Sequence, residues 1–155
     1  MDPLVYRPAN ENDLDFIIQL AARVFLKYGT YDEIVPGWFS DPEVITIIVT
    51  EKTDPLGFAM LAMEKQRMFK PRRAHLLAIA VFPEYQRKGI GSGLLGHIED
   101  LARKYDVRGI QLWTATDNTQ AISFFQKAGF KIIGSENRYY PRGQPALALS
   151  KKLDP

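Results

Sequence analysis

The stretch Val81-Phe82-Pro83-Glu84-Tyr85-Gln86-Arg87-Lys88-Gly89-Ile90-Gly91-Ser92-Gly93-Leu94-Leu95 decides how this chain is read. An apolar strand ends at Phe82, and Pro83 stops it because proline has no N–H to give a ladder. A short loop carries Gln86, Arg87 and Lys88. Glycines at 89, 91 and 93 then open an amphipathic helix running to about Tyr105, with Ile90, Leu94, Ile98, Leu101 and Tyr105 as the expected buried stripe. Glycine allows close backbone approach and unusual φ values. Free N–H groups at a helix start, at the positive end of its dipole, bind phosphate oxygens, and two cations beside them add attraction. The physics is that of a diphosphate cradle. The alternative is a glycine-rich helix start packed tightly on a neighbouring strand. A Walker loop is absent, and Gly89-x-Gly91-x-Gly93 misses the dinucleotide-binding spacing.

Working outward, residues 73–82 form a near-continuous apolar run that predicts a strand buried on both faces. Before it, Val44–Glu51 and Gly57–Gln66 read as a hairpin turning at Lys52–Pro55. A short strand at 3–8 opens the chain. Leu14, Ile17, Ile18, Ala21, Ala22, Phe25 and Leu26 then recur at helical spacing, with Asn10 or Asn12 as the cap and an end near Gly29. Residues 30–42 read as a short helix or a loop. After the glycine-rich helix come a strand at Gly109–Ala115, a helix at Asn118–Ala128 closed by Gly129, and a last hairpin of Lys131–Tyr140 with Ala146–Lys151. The order is that of an α/β (α+β) protein with a mixed central sheet, in one domain over residues 1–155.

Composition narrows the chemistry. The 155 residues carry 20 Lys and Arg against 18 Asp and Glu, no Cys and two His, His75 and His97. Absence of Cys removes disulfides, thiolate metal sites and a cysteine nucleophile. Two histidines are too few for a His-rich metal site, so no metal is expected. A net charge of +2 does not imply a nucleic-acid partner. No apolar run approaches the roughly 20 residues of a membrane span, and the first residues lack a secretory pattern. The expectation is a cytoplasmic protein acting without nucleic acid or membrane, as a monomer or homodimer.

Gln86-Arg87-Lys88-Gly89-Ile90-Gly91 matches the Q/R-x-x-G-x-G/A motif of the GNAT N-acetyltransferase superfamily. Asn118-Thr119-Gln120-Ala121-Ile122-Ser123-Phe124-Phe125-Gln126-Lys127-Ala128-Gly129-Phe130 resembles the second signature of that family, N-x-x-A-x-x-F-Y-x-x-x-G-F. The element order fits over residues 3–152. The resemblance implies a GNAT fold: about seven strands, splayed between the fourth and fifth, with about four helices. It implies acetyl-CoA as co-substrate, its pantetheine arm on the backbone of Ile79, Ala80 and Val81. Its diphosphate would lie on the loop of Gln86, Arg87, Lys88, Gly89, Ile90, Gly91 and Ser92. Asn118 would contact the arm, Phe125 would lie near the sulfur, and the Ile79 amide would hold the oxyanion.

The implied reaction is direct acetyl transfer to a primary amine. Several members carry a Glu base eleven positions before the motif glutamine; here that position is His75, with Glu64 on the preceding strand as its rival. His75 reads equally as a strand-start histidine capped by a carbonyl or facing water. The usual tyrosine acid is replaced by Phe125, which has no hydroxyl. Tyr139 and Tyr140, before the last turn, resemble a Tyr-Tyr pattern of protein N-terminal acetyltransferases; as residues alone they read as a cross-strand aromatic pair. Tyr28, Tyr31, Asp32, Glu33, Trp38 and Phe39 suit a cationic acceptor by aromatic surface and negative charge, or pack a helix onto the sheet. Three functions stand open: an N-acetyltransferase acting on a peptide or protein N-terminus, one acting on a small-molecule amine, and an acetyl-CoA-sensing module with weakened catalysis.

Overall fold

A computed structural model describes residues 2–155. The strands are β1 (Leu4–Pro8), β2 (Val44–Glu51), β3 (Asp54–Met63), β4 (Arg72–Val81), β5 (Val107–Ala115), β6 (Lys131–Glu136) and β7 (Ala146–Lys152). They form one sheet in the order β1-β2-β3-β4-β5-β7-β6. Every neighbouring pair is antiparallel except β4 with β5, which is parallel. The helices are α1 (Leu14–Val24), α2 (Tyr31–Ser40), α3 (Ile90–Lys104) and α4 (Thr119–Lys127). The ambiguous 30–42 segment is thus a helix, α2, which contains Pro36.

The sheet divides two cores. On one face Ile17, Leu20, Ala21 and Val35 of α1 and α2 pack on Ile48, Phe58, Met60, Ala78 and Ala80. On the other, Leu94, Ile98 and Ala102 of α3 and Phe125 of α4 pack on Ile47, Val49, Leu61, Leu76, Ile110 and Leu149. The alternation of β2 across the two cores follows from the period of two in a strand. Asn10 caps the entry to α1, its side-chain oxygen accepting from the Asn12 backbone amide at 2.9 Å, while the Asp13 carboxylate accepts from the Asn10 backbone amide at 2.8 Å.

Three expectations are corrected. β4 is not buried on both faces: from Ala74 to Ala80 buried residues alternate with half-buried His75, Leu77 and Ile79, because the strand runs along an open cavity. Tyr105 does not join the α3 stripe; it is 43% exposed at the helix end. Tyr139 and Tyr140 lie beyond the end of β6 at Glu136, in the loop to β7, so they are not a cross-strand pair.

One irregularity places the site. Leu61 pairs with Leu76 and Met60 with Ala78, leaving Leu77 as an extra residue in β4. Such a bulge reverses side-chain phase. Ala74 and Leu76 therefore face the α3 core, as do Ile79 and Val81, while Ala78 and Ala80 turn to the α1–α2 core.

Candidate active site

The parallel ladder of β4 and β5 runs from Arg72 and Val107 only as far as Leu76 and Leu112. Beyond it the strands part. Leu77–Val81 keep β3 on one side and no strand on the other, so half of their backbone polar groups face an opening. A cavity of about 570 Å³ fills the gap, lined by Leu76–Val81, Leu112–Thr114, the loop before α3 and the start of α4.

At one end of this cavity Arg87 (φ 63°) and Gly89 (φ 80°) both adopt left-handed backbone, turning the loop onto α3. No side chain caps α3, so its leading amides have no partner within the helix. The three glycines have separate duties. Gly89 supplies the left-handed turn. Gly91 lines the cavity, where an added Cβ would stand 3.5 Å from the Phe124 ring. Gly93 makes room for Tyr6, whose ring stacks on His97 at 4.3 Å; a Cβ there would collide with the Tyr6 hydroxyl. Arg87 and Ser92 also line the cavity. Lys88 and Ile90 do not: Lys88 lies 5.7 Å over the Tyr85 ring, and the Ile90 side chain is buried in the core. Gln86 donates to the Val81 carbonyl at 3.0 Å, tying the strand end to the loop. Asn118 caps α4 through its oxygen, accepting from Ala121 at 3.1 Å, which leaves its amide nitrogen free. Phe125 is buried among Phe124 and Phe130 yet reaches the cavity lining.

At the other end stands His75. Its Nε2 lies 3.1 Å from Glu64 Oε1. The two rival bases of the sequence are thus one pair. A carboxylate only accepts, so Nε2 carries the proton in this bond and Nδ1 is the free acceptor of the neutral ring. Both groups keep contact with solvent, at 35% and 47% side-chain exposure, and His75 lines the cavity.

The remaining wall is aromatic. Tyr140 lies 4.8 Å from Tyr28, 6.4 Å from Tyr31 and 5.0 Å from Tyr139. Tyr139 stacks on Trp113 at 4.7 Å, and Tyr31 meets Trp38 at 6.1 Å. Burial pushes the Tyr31 hydroxyl up to about 12, with Tyr139 adding to it. Burial raises Tyr140 further, helped by its tyrosine neighbours and weakly opposed by an Ala115 backbone hydrogen bond. Burial also raises Tyr139 and Tyr28. These hydroxyls hold their protons across the neutral range.

Three loops brace this wall. Lys27 pairs with Asp117 at 2.6 Å, Gln144 donates to the Lys27 carbonyl at 2.8 Å, and a Cβ on Gly29 would stand 2.9 Å from Pro141. Asp32 and Glu33 sit in the first turn of α2, where the helix dipole favours acids, and not in the cavity; Phe39 packs on the α1–α2 core. The sequence reading missed Trp113 and Gln144. Trp113 was findable, as a large aromatic in the parted half of β5; Gln144 carried no signal. Among the described residues no cluster of His, Cys, Asp and Glu converges on a metal position, and no helix is long and apolar enough to cross a membrane.

A parted parallel strand pair above an uncapped, glycine-rich helix start defines the class, and residues 14–130 match the acetyltransferase (GNAT) family. The chain belongs to that family. It is 36% identical over 87 residues to N-alpha-acetyltransferase 50 of Danio rerio, covering 53% of this chain and 51% of that protein. It is 31% identical over 98 residues to an N-alpha-acetyltransferase of Sulfurisphaera tokodaii, covering 63% and 57%. The chain thus spans about half the length of the curated relatives it matches. Among solved structures it superposes on Arabidopsis thaliana NAA60 in complex with a bisubstrate analogue, with a TM-score of 0.85 at 15% identity over 98% of this chain and 99% of that one. Ard1 from Thermoplasma volcanium gives 0.83 at 24% identity over 98% and 99%. These two likenesses establish the fold.

Proposed function

We propose that the chain is an acetyl-CoA-dependent N-acetyltransferase that transfers acetyl directly to a protein or peptide N-terminal α-amine in a ternary complex. The observation that carries this reading is the parting of β4 from β5 beyond Leu76 and Leu112, with open amides at one end and the His75–Glu64 pair at the other. The similarity to N-alpha-acetyltransferases supports the acceptor class.

The residues present fit the co-substrate. The unpaired backbone groups of Ile79 suit an amide-bearing pantetheine arm, with the Asn118 amide also on the cavity lining, while Ala80 lines the cavity but turns its carbonyl to Gly57 of β3. Val81 contributes less, since Gln86 already occupies its carbonyl. The amides of Gly89, Ile90, Gly91 and Ser92, with Arg87, suit a diphosphate, and Gly91 is the place where a side chain would narrow that lining. Lys88 acts there only as a nearby positive charge.

His75 Nδ1 takes a proton from the acceptor ammonium while Glu64 holds the opposite edge of the ring. The amine nitrogen then forms its bond to the thioester carbon, and the carbon–sulfur bond breaks as the resulting oxyanion collapses. The Ile79 amide holds the oxyanion between those events. Tyr140, kept protonated, hands its proton to the departing thiolate in place of the absent Phe125 hydroxyl and takes up the second proton shed by the new amide nitrogen. Tyr28, Tyr31 and Tyr139 hold the acceptor's first residue. With no cysteine in the chain, no acetyl-cysteine stage is available. A cytoplasmic location and a monomer or homodimer belong to the same reading; the outer edge of β6 is unpaired.

The test is thiol release from acetyl-CoA with free-amine peptides, lysine-containing blocked peptides and polyamines. Release with α-amine peptides at least about tenfold above the others is expected. Release only with lysine or polyamine acceptors overturns the acceptor class. Phe125 favours a second reading, a sensor that binds acetyl-CoA without turnover; calorimetric binding with no release by any acceptor would select it.

A further inference from the structure

Beside the His75–Glu64 pair lies a second cleft of about 300 Å³, walled by Glu64, Lys65, Arg67, Lys70, Pro71 and Arg73. It is built by the loop between β3 and β4 and the start of β4. Four of its six wall residues are cationic, and among the described residues none of those four side chains has a carboxylate or carbonyl partner. Arg72, the first residue of β4, differs: it is spent on the Glu64 carbonyl at 3.0 Å and the Tyr105 carbonyl at 3.3 Å, pinning the end of the loop to the body. Gln66 Nε2 spans the turn, at 3.3 Å from the carbonyls of Arg67 and Lys70. The cations are therefore presented from a braced turn.

We infer that this cleft is an anion-receiving subsite for the acceptor, and that the enzyme favours polypeptides with carboxylate side chains a few residues beyond the acetylated amine. The inference rests on the acceptor class proposed above. Position argues for the acceptor over the co-substrate's phosphates. His75 lies six residues before Val81 on β4, about 20 Å of strand from the end of β4 that leads into the loop before α3. Glu64 belongs to this cleft and His75 to the main cavity, so the pair is the shared wall. An extended chain whose amine stands at His75 reaches the cations within a few residues, at roughly 3.3 Å per residue. Charge distribution argues against a nucleic-acid face. Five of the 20 cations fall between Lys65 and Arg73 with no acid among them, leaving 15 against 18 acids elsewhere. A local positive notch in a chain otherwise close to charge balance suits a short acidic segment, not a long polyanion.

The experiment pairs two peptides with the same first two residues, one continuing with aspartates and the other with serines and glycines. Each is used with a free amine for acetylation and as an N-acetylated, rhodamine-labelled form for anisotropy. The wild type is compared with Arg67→Ala/Lys70→Ala, whose exposed positions leave the core untouched. The acidic peptide is expected to have a KM about tenfold below the neutral one, kcat being equal. The double variant should erase that gap without changing the neutral peptide, as should raising salt from about 0.05 to about 0.5 M. The blocked acidic peptide should bind the wild type and lose that binding in the variant. If it does so while no free amine is acetylated, the subsite stands and the acceptor class falls. If both peptides are acetylated alike and the blocked acidic peptide does not bind, the subsite falls and the acceptor class stands. Met68 and Phe69 are 81% and 97% exposed on the same loop. Binding of anionic vesicles or single-stranded RNA that depends on Arg67 and Lys70, without binding of the acidic peptide, would also overturn the inference.

Discussion

The two ends of the main cavity are built from different material. At the α3 end the open polar groups are backbone: the unpaired edge of Leu77–Val81 and the amides that open α3 after Gly89. At the end proposed for the acceptor they are side chains: His75 with Glu64, and tyrosines drawn from the α1–α2 loop, α2 and the β6–β7 loop. Backbone recognition depends on where a chain turns, so substitutions tolerated by the turn are tolerated by the site. Side-chain recognition depends on identity at each position. The co-substrate end should therefore yield only to steric intrusion, and the acceptor end to loss of single functional groups.

The largest effect that sharpens this contrast is on kcat. His75→Ala should lower kcat by about 10²- to 10⁴-fold, the usual range for a positioned base, with the KM for acetyl-CoA unchanged. Glu64→Gln keeps the ring's hydrogen bond but removes the negative charge, and should cost less, about tenfold. A pH–rate profile separates the roles, because His75→Ala should erase the acidic limb while Glu64→Gln should retain one. An acidic limb surviving in His75→Ala would remove the base assignment.

Next is Gly91→Phe. Its side chain would fill the lining between α3 and Phe124. The KM for acetyl-CoA should rise about 100-fold, the loss of about 3 kcal/mol expected when charge-assisted contacts to a helix start are blocked. Circular dichroism should be unchanged, and kcat at saturation should stay within a few-fold. Gly91→Ala places only a methyl in ordinary contact with the Phe124 ring and should be mild. Equal damage from both would mean that Gly91 serves packing and not the co-substrate.

Tyr140→Phe reads the contrast at one hydroxyl. It keeps the ring against Tyr28, Tyr31 and Tyr139 while removing the donor. A loss of up to about tenfold in kcat, with peptide KM little changed, is expected for one neutral hydrogen bond. Phe125→Tyr in that background should restore part of the loss if the two positions serve the same leaving sulfur. No rescue, with peptide KM raised instead, would assign Tyr140 to acceptor binding alone.

The same contrast explains what could be read from the chain. The glycine-rich loop and the Asn118–Phe130 segment were legible because backbone recognition is local, and its turns demand glycine and a cap at fixed spacing. The order of elements was legible from periodicity. The β4 bulge was not, because Leu76 and Leu77 are both apolar and only pairing with β3 shows which is extra. The tyrosine wall was legible as residues and not as a wall, since its loops meet through Lys27 with Asp117 and Gln144 with the Lys27 carbonyl, contacts about 90 residues or more apart in sequence. His75 and Glu64 read as rivals because nothing in a one-dimensional pattern says that neighbouring strands set them side by side.

The smallest effect concerns the ionisation of the acceptor end. Burial holds Tyr28, Tyr31, Tyr139 and Tyr140 above the ordinary tyrosine value, with Tyr31 at about 12. The folded chain therefore keeps protons that the unfolded chain releases first. That contribution to stability is whole below about pH 10 and is lost as pH rises toward about 12. For Tyr31, whose ring is only half covered, it is about 1 kcal/mol after allowance for solvent screening. Urea midpoints followed from about pH 8 to about pH 11.5 should be flat and then fall. In Tyr31→Phe, which cannot ionise, the fall should be shallower by that amount. Parallel curves for the two proteins would show that the Tyr31 hydroxyl faces water as freely as in the unfolded chain, and the acceptor end would then be an open surface instead of a wall.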